Sequence, residues 1–371
     1  MPPRAGEHAS TRPAGGRTGA SRLALLLALL PGVAGLSGCY TLHAAKGQLR
    51  ILTNREPIEE FLAKPDVDPD LRRKLELVLE VRRFAADVIQ LDVGDTYTKV
   101  YDTQGEPVAW NVSASAPDAL SPVTWSFPIV GTVPYLGYFD KEPAQEAIQE
   151  LKRDGQDALL LPVPAYSTLG WFEDPIFTSM LKGSDAELVE TIIHELAHAT
   201  VWIPGDAEFN ETLATFVGRQ GAHDYFLARG GPDDPALREA QEDARASRIF
   251  NEAAADLRAK LMRVYEATGP RAEKLRLKQI AFKRFRERFA AEVLPQIPGA
   301  GYDWVLLPQI ELNNALLLTF RRYHGELDLF RALYERCGRD LVATVQALKA
   351  LEEAEDPRAA LQALVVAPNE E

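Results

Sequence analysis

Residues 194–198 read His194-Glu195-Leu196-Ala197-His198, and they fall in the stretch of the chain that most clearly asks to be a helix. Ser184 with Glu187 three residues on fits a capping box. Leu188, Ile192 and Leu196 then supply an apolar stripe, so the spacing predicts a helix over about 184–202 with one buried side. At about 100° per residue, His194 and His198 lie about 40° apart and one turn along the axis, so both imidazoles reach one ion. Glu195 stands about 60° from His198, where it can touch a water at the ion without ligating the ion itself. A single histidine on an apolar face is usually an ordinary core residue. Two of only six, one turn apart around a Glu, predict a metal site holding one Zn²⁺ per chain. Imidazole and carboxylate donors accept Mn²⁺ or Co²⁺ as well.

Two histidines leave the ligand set incomplete. Val201 and Pro204 stand where H-E-x-x-H-x-x-G-x-x-H would need Gly and His, so the third ligand comes from elsewhere. Pro204-Gly205 is a turn signal, and Phe209-Asn210-Glu211-Thr212-Leu213-Ala214 opens a second expected helix, about 206–220, ending before Gly221. Glu211 is the third ligand on this reading, in the manner of the gluzincins. Glu208, one turn earlier, is its rival, and otherwise a candidate for a substrate amine or a solvated carboxylate favoured by the helix dipole. Two histidines and a glutamate leave a fourth position open, the mark of a catalytic rather than a structural site. Glu195 is then the general base of a hydrolysis. Tyr166, Tyr302, Tyr323, His223 and His324 are candidates for stabilising an oxyanion, and the sequence does not choose among them.

The rest of the chain is read as α+β, predominantly α-helical, around a zincin-like (gluzincin) core. Hydrophobic residues make up 46% and charged residues 26% of it, a globular balance. Lys and Arg number 41 against 54 Asp and Glu, a net charge of −13 that argues against nucleic acid as a partner. Two cysteines, Cys39 and Cys337, exclude a disulfide scaffold. Helix signals run over 58–90, with Leu71, Leu75, Leu77, Val81 and Phe84 on one face. Residues 96–113 read as a β-hairpin, 120–140 as irregular or strand structure, 143–154 as a helix and Leu159–Leu161 as a strand. Residues 234–294 read as a charged helical hairpin broken at Gly269-Pro270, and a few more helices follow.

Arg4, Arg12, Arg17 and Arg22 precede the apolar run Leu23–Leu30, which suits a signal-peptide core. Leu36-Ser37-Gly38-Cys39 resembles the lipobox of bacterial lipoproteins. That resemblance implies removal of residues 1–38, acylation of Cys39 and a membrane contact through the lipid. Tyr40, in place of Asp, points to the outer membrane, facing the periplasm. Residues 39–355 are then one metallopeptidase domain and 356–371 a tail.

Further blocks accompany HELAH and FNETLATFVG: Gly137-Tyr138-Phe139, Ala165-Tyr166-Ser167-Thr168-Leu169-Gly170-Trp171-Phe172 with Asp174-Pro175, and Asn313-Asn314-Ala315. With these the chain resembles the predicted zinc aminopeptidases of bacteria over roughly residues 40–350. The resemblance implies hydrolysis of peptides from a free N-terminus. Because residues 165–176 immediately precede the histidine helix, they are read as lining the cleft, with Glu173 or Asp174 holding the substrate ammonium and Tyr166 beside the metal; Trp171 and Phe172 would otherwise serve a core. Relatives usually carry cysteines where this chain has Ser126 and Thr132. A zinc endopeptidase of envelope proteins and a non-catalytic zinc-bound scaffold are the competing functions.

Overall fold

The computed structural model describes residues 37–127, 131–163, 173–297, 311–324 and 327–366. The chain divides at residue 48, and residues 49–371 form the unit that carries the features below, apart from the first turns of α1. The backbone of α1 (Ser37–Asn54) is helical, and β1 (Glu56–Pro57) and α2 (Ile58–Leu62) follow. Helix α3 (Pro69–Phe84) starts where the Asp68 carboxylate accepts from the amides of Asp70 and Leu71, with Pro69 at a position whose N–H needs no partner. Leu75, Leu77 and Val81 are buried as the periodicity predicts, while Leu71 and Phe84 pack at the edge of the same core. A π-helical turn, Ala85–Ile89, extends α3 and ends on Gln90, whose φ is +62°.

The predicted hairpin over 96–113 does not form. Its halves become β2 (Lys99–Tyr101) and β3 (Ala109–Ser115), which belong to different sheets. After them come β4 (Trp125–Phe127), β5 (Gly131–Val133), β6 (Leu136–Tyr138), α4 (Lys141–Arg153), β7 (Asp157–Val163) and β8 (Ile176–Phe177). Strand β2 lies antiparallel to β1 and parallel to β8. Strand β3 sits between β6 and β7, antiparallel to both, and pairs with β7 from Ala109 opposite Val163 to Ser115 opposite Asp157. That long ladder, reaching the apolar run Leu159–Leu161, outcompetes the short partner next in sequence.

Strands β4 and β5 set Ser126 directly opposite Thr132, with their hydroxyl oxygens 2.8 Å apart. The two positions that the resemblance singles out are therefore cross-strand neighbours. A chain with Ser126→Cys and Thr132→Cys is expected to close a disulfide in air, because the two side chains point at each other across the strands with their terminal atoms already in contact. Thiol titration of the oxidised, denatured chain checks it: if both new thiols remain free, the pairing is wrong.

The second half is helical: α5 (Asp185–Thr200), α6 (Ala207–Gly230), α7 (Pro235–Glu266), α8 (Arg271–Arg288), α9 (Asn314–His324), α10 (Leu327–Arg336), α11 (Leu341–Lys349) and α12 (Pro357–Val366). No helix among the described residues is long and apolar enough to cross a membrane. The main core gathers α3, α5 and α6 with β2 and β8. Helices α7 and α8 form the predicted hairpin over a second core, in which the Phe250 ring meets those of Phe289 and Phe320 edge-on.

Two expectations fail in this half. Helix α6 runs past Gly221, because that glycine faces a neighbour rather than ending a helix: a Cβ there would lie 2.8 Å from Ile193 and 2.9 Å from Ile89. Residues 357–366 are a helix rather than a tail. Leu361 is fully buried, and the Arg358 guanidinium donates to both carboxylate oxygens of Asp206, at 2.8 and 3.1 Å.

The Asn313-Asn314 block turns out to be a fastener. Asn314 is fully buried; its amide donates to the carbonyls of Ala116 and Ala119, and its oxygen accepts from Tyr265. Its backbone N–H donates to Asp157, which also pairs with Lys278. Buried polar groups this fully satisfied specify one packing of sheet on helices.

Candidate metal centre

Helix α5 begins as the capping box predicts: the Ser184 hydroxyl accepts from the Glu187 N–H at 3.2 Å, and the Glu187 carboxylate accepts from the Ser184 N–H at 2.9 Å. It ends at Val201, whose backbone is extended (ψ 124°). Gly205, at φ +84°, then turns the chain in a conformation that a side chain would strain. Asp206 caps α6 by accepting from the Phe209 N–H. The buried Asn210 side chain bonds both backbone groups of Ile203, at 2.8 and 2.7 Å. The link between the two helices is thus clamped by the residue immediately before Glu211.

Close approach of α6 to α5 depends on Gly218. A Cβ there would lie 2.9 Å from the Glu190 carbonyl oxygen and 3.1 Å from the His194 Cβ. Gly218→Ala is therefore expected to cost roughly 1–3 kcal/mol, as overpacking does, although Ala is the better helix former. Thermal denaturation reads it, and a variant as stable as the parent would mean that the helices separate freely.

With the helices held so, the Glu211 carboxylate comes within 3.4 Å of His194 Nε2 and 3.8 Å of His198 Nε2. One donor atom from each residue lies within 4.8 Å of the others, and the imidazoles meet edge-on. These separations are long for charge-assisted hydrogen bonds. The shorter equals the edge of a tetrahedron of donors at about 2.1 Å from a central ion, about 3.4 Å, and the longer exceeds it by a few tenths of an ångström. The group could hold a metal ion, and two imidazoles with one carboxylate are a donor set that zinc accepts. Burial opposes ionisation of Glu211, yet the two imidazoles hold its carboxyl well below the ordinary range. Burial likewise opposes charge on His194, and the carboxylates of Glu211, Glu195 and Glu190 outweigh it and raise its pKa. The rival Glu208 sits half-buried in the first turn of α6, outside that donor group.

Around the donors stand residues that no motif announces. Tyr97 is 1% exposed, holds a left-handed backbone at φ +62° and donates its N–H to the Asp174 carbonyl. Such a conformation is costly for a bulky side chain and persists only where its surroundings enforce it. Burial, with the nearby charges of Glu195 and Asp174, pushes its phenol pKa well up, so it stays protonated. The Trp202 ring meets His198 edge-on at 5.9 Å, and the Trp202 N–H donates to Glu352. Thr200 accepts from the Asp92 N–H, tying the end of α5 to the loop that carries Tyr97.

The predicted ammonium ligands fare differently. Glu173 pairs with Lys99 at 2.8 Å and Arg55 at 3.5 Å, and the Lys99 hydrogen bond lowers its pKa against partial burial. Its charge is already balanced, so a substrate ammonium would have to displace two cations. Asp174 is 4% exposed and lies within the fold rather than on an open wall. Tyr166, Trp171, Phe172 and Tyr302 lie outside the described residues. His223 pairs with Asp224, about 18 Å along α6 from Glu211, too far to reach a shared substrate. Cys39 falls in the first turns of α1.

Behind α5, Asp243 of α7 faces Glu187 and Glu190 of α5 and its own neighbours Glu239 and Glu242. Partial burial and these charges push its carboxyl up to about 6 from an ordinary 3.8. The folded chain therefore holds a proton that the unfolded chain has lost between about pH 4 and 6, and stability falls as pH rises through that window. Asp243→Asn is expected to raise stability at pH 7.5, by less than about 1 kcal/mol after solvent screening, and to change little at pH 4. Melting curves at both pH values check the sign.

No curated protein and no solved structure matches this chain. One family model does, over residues 39–363, a span that takes in both helices of the donor group and the fastening asparagines. The chain belongs to the family described as "Putative aminopeptidase".

Proposed function

We propose that this protein is a zinc-dependent aminopeptidase, anchored in the cell envelope through a lipid on Cys39. The observation that carries the reading is the meeting of His194, His198 and Glu211 in one donor group, with Glu195 on the same helix. When bound, zinc supplies Lewis acidity, which polarises a scissile carbonyl and acidifies water. Glu195 takes a proton from the attacking water and delivers it to the leaving amine. His194 and His198 act as neutral donors, and Glu211 contributes the negative charge that a divalent ion favours. Tyr97 keeps its proton beside Glu195. Glu208, three residues before Glu211 and therefore on the same side of α6, is the carboxylate assigned to the substrate's ammonium.

The test uses two fluorogenic peptides identical except for N-terminal acetylation, alongside the metal content of the purified chain. Near one zinc per chain with cleavage of the free peptide alone supports the aminopeptidase. Cleavage of both moves the reading to an endopeptidase. Zinc with no cleavage of a broad peptide set leaves the scaffold, and a chain that binds no metal overturns the proposal. Mass spectrometry of the membrane fraction checks for acylated Cys39.

A further inference from the structure

Charge is divided unevenly along this chain. Residues 258–288, the last turns of α7 with the whole of α8, hold eleven Lys and Arg against three Asp and Glu, whereas the whole chain is at −13. Several of these cations are spent on neighbours: Arg271 on Asp118, Arg276 on Glu273, Lys278 on Asp157 and Arg288 on Asp256. Others are not. Arg258, Lys260, Arg263 and Arg284 have no carboxylate partner among the described residues, and all but the half-buried Arg258 are exposed. Met262, 41% exposed and one of the few large apolar side chains left in water, stands about 40° round the axis of α7 from Arg258 and about 100° from Arg263.

A basic projection on an acidic body touches a plane where it would be repelled from a surrounding polyanion. From this we infer that the end of the α7–α8 hairpin is a docking surface for an anionic phospholipid bilayer. The free guanidinium and ammonium groups meet headgroup phosphates, with Met262 entering the acyl boundary beside Arg258 and Arg263. That apolar anchor favours a bilayer over nucleic acid, which offers Met262 nothing to enter. Cations close to an anionic surface each add to the binding, and salt weakens the sum. The inference rests on the hairpin's charge and is independent of both the peptidase reading and acylation of Cys39.

The experiment places an environment-sensitive dye on Met262→Cys in the full-length chain carrying Cys39→Ser and Cys337→Ser. Vesicles containing phosphatidylglycerol are expected to shift its emission to the blue, vesicles of phosphatidylcholine alone are not, and high salt is expected to reverse the shift. The same dye on Arg331→Cys of α10 should stay unchanged. Reversing Lys260, Arg263 and Arg284 to Glu should weaken apparent vesicle affinity on the order of a hundredfold. The milder set Lys260→Gln, Arg263→Gln and Arg284→Gln replaces the reversal if that chain loses its far-ultraviolet circular dichroism. No shift, an equal shift with both vesicle types, an unchanged response after charge removal, or an equal shift with a DNA oligonucleotide would each overturn the inference.

Discussion

Glu195→Gln is expected to abolish peptide hydrolysis while leaving the ion in place. The substitution keeps the size and hydrogen-bonding reach of the side chain and removes only its ability to take a proton. Loss of a general base costs roughly 10²–10⁴-fold in turnover. Glu195 is outside the donor group formed by His194, His198 and Glu211, so metal content should stay at the parent's value. The two readouts must separate. Loss of both would make Glu195 a ligand or a structural residue, and retention of both would end the hydrolytic mechanism. Because burial, the largest cause, and the Asp174 carboxylate still hold the Tyr97 phenol protonated in this variant, it offers no substitute base.

Removing the third ligand should produce the larger physical change. Zinc that binds only the folded chain stabilises the parent by about 2.7 kcal/mol at a free concentration one hundred times its Kd. Glu211→Ala is expected to lose most of that gain and to purify nearly free of metal, since two imidazoles on one helix make an incomplete site. Glu208→Ala is the matched control and should keep both the ion and the zinc-dependent rise in melting temperature. Should the two variants exchange behaviours, the ligand assignment would move to Glu208, one turn along α6. If neither loses the ion, the third donor comes from outside the helix pair. Removing the ion from the parent with a chelator should reproduce the Glu211→Ala melting curve, because both leave the histidine pair without its cation.

Much of the site could be read in the sequence because it is local. The capping box, the apolar stripe and the histidine pair all lie within one helix, where a fixed angle per residue converts spacing into geometry. Glu211 was within reach for a related reason, since a turn and a few residues separate its helix from the first. The hairpin over 96–113 failed because strand pairing is decided by competition among partners far apart in sequence, and β7 offers β3 a longer ladder than β2 does. Glu173 carries no mark of its pairing, because Lys99 and Arg55 come to it from other parts of the chain. Gly221 looked like a helix end, and only the neighbouring Ile193 and Ile89 reveal that it makes room for packing.

By itself, then, the sequence determined a capped amphipathic helix bearing two histidines around a glutamate, and with it the chemistry this protein can attempt. The tertiary structure decided which carboxylate completes the group, through the Asn210 clamp and the contact at Gly218. It also decided which acids are already balanced, and that Tyr97 stands near Glu195. The physical reason is the range of the forces involved. Helix periodicity and capping act over a few residues, whereas the ångström-scale separations on which a ligand set depends are set by packing between elements that the chain brings together only on folding.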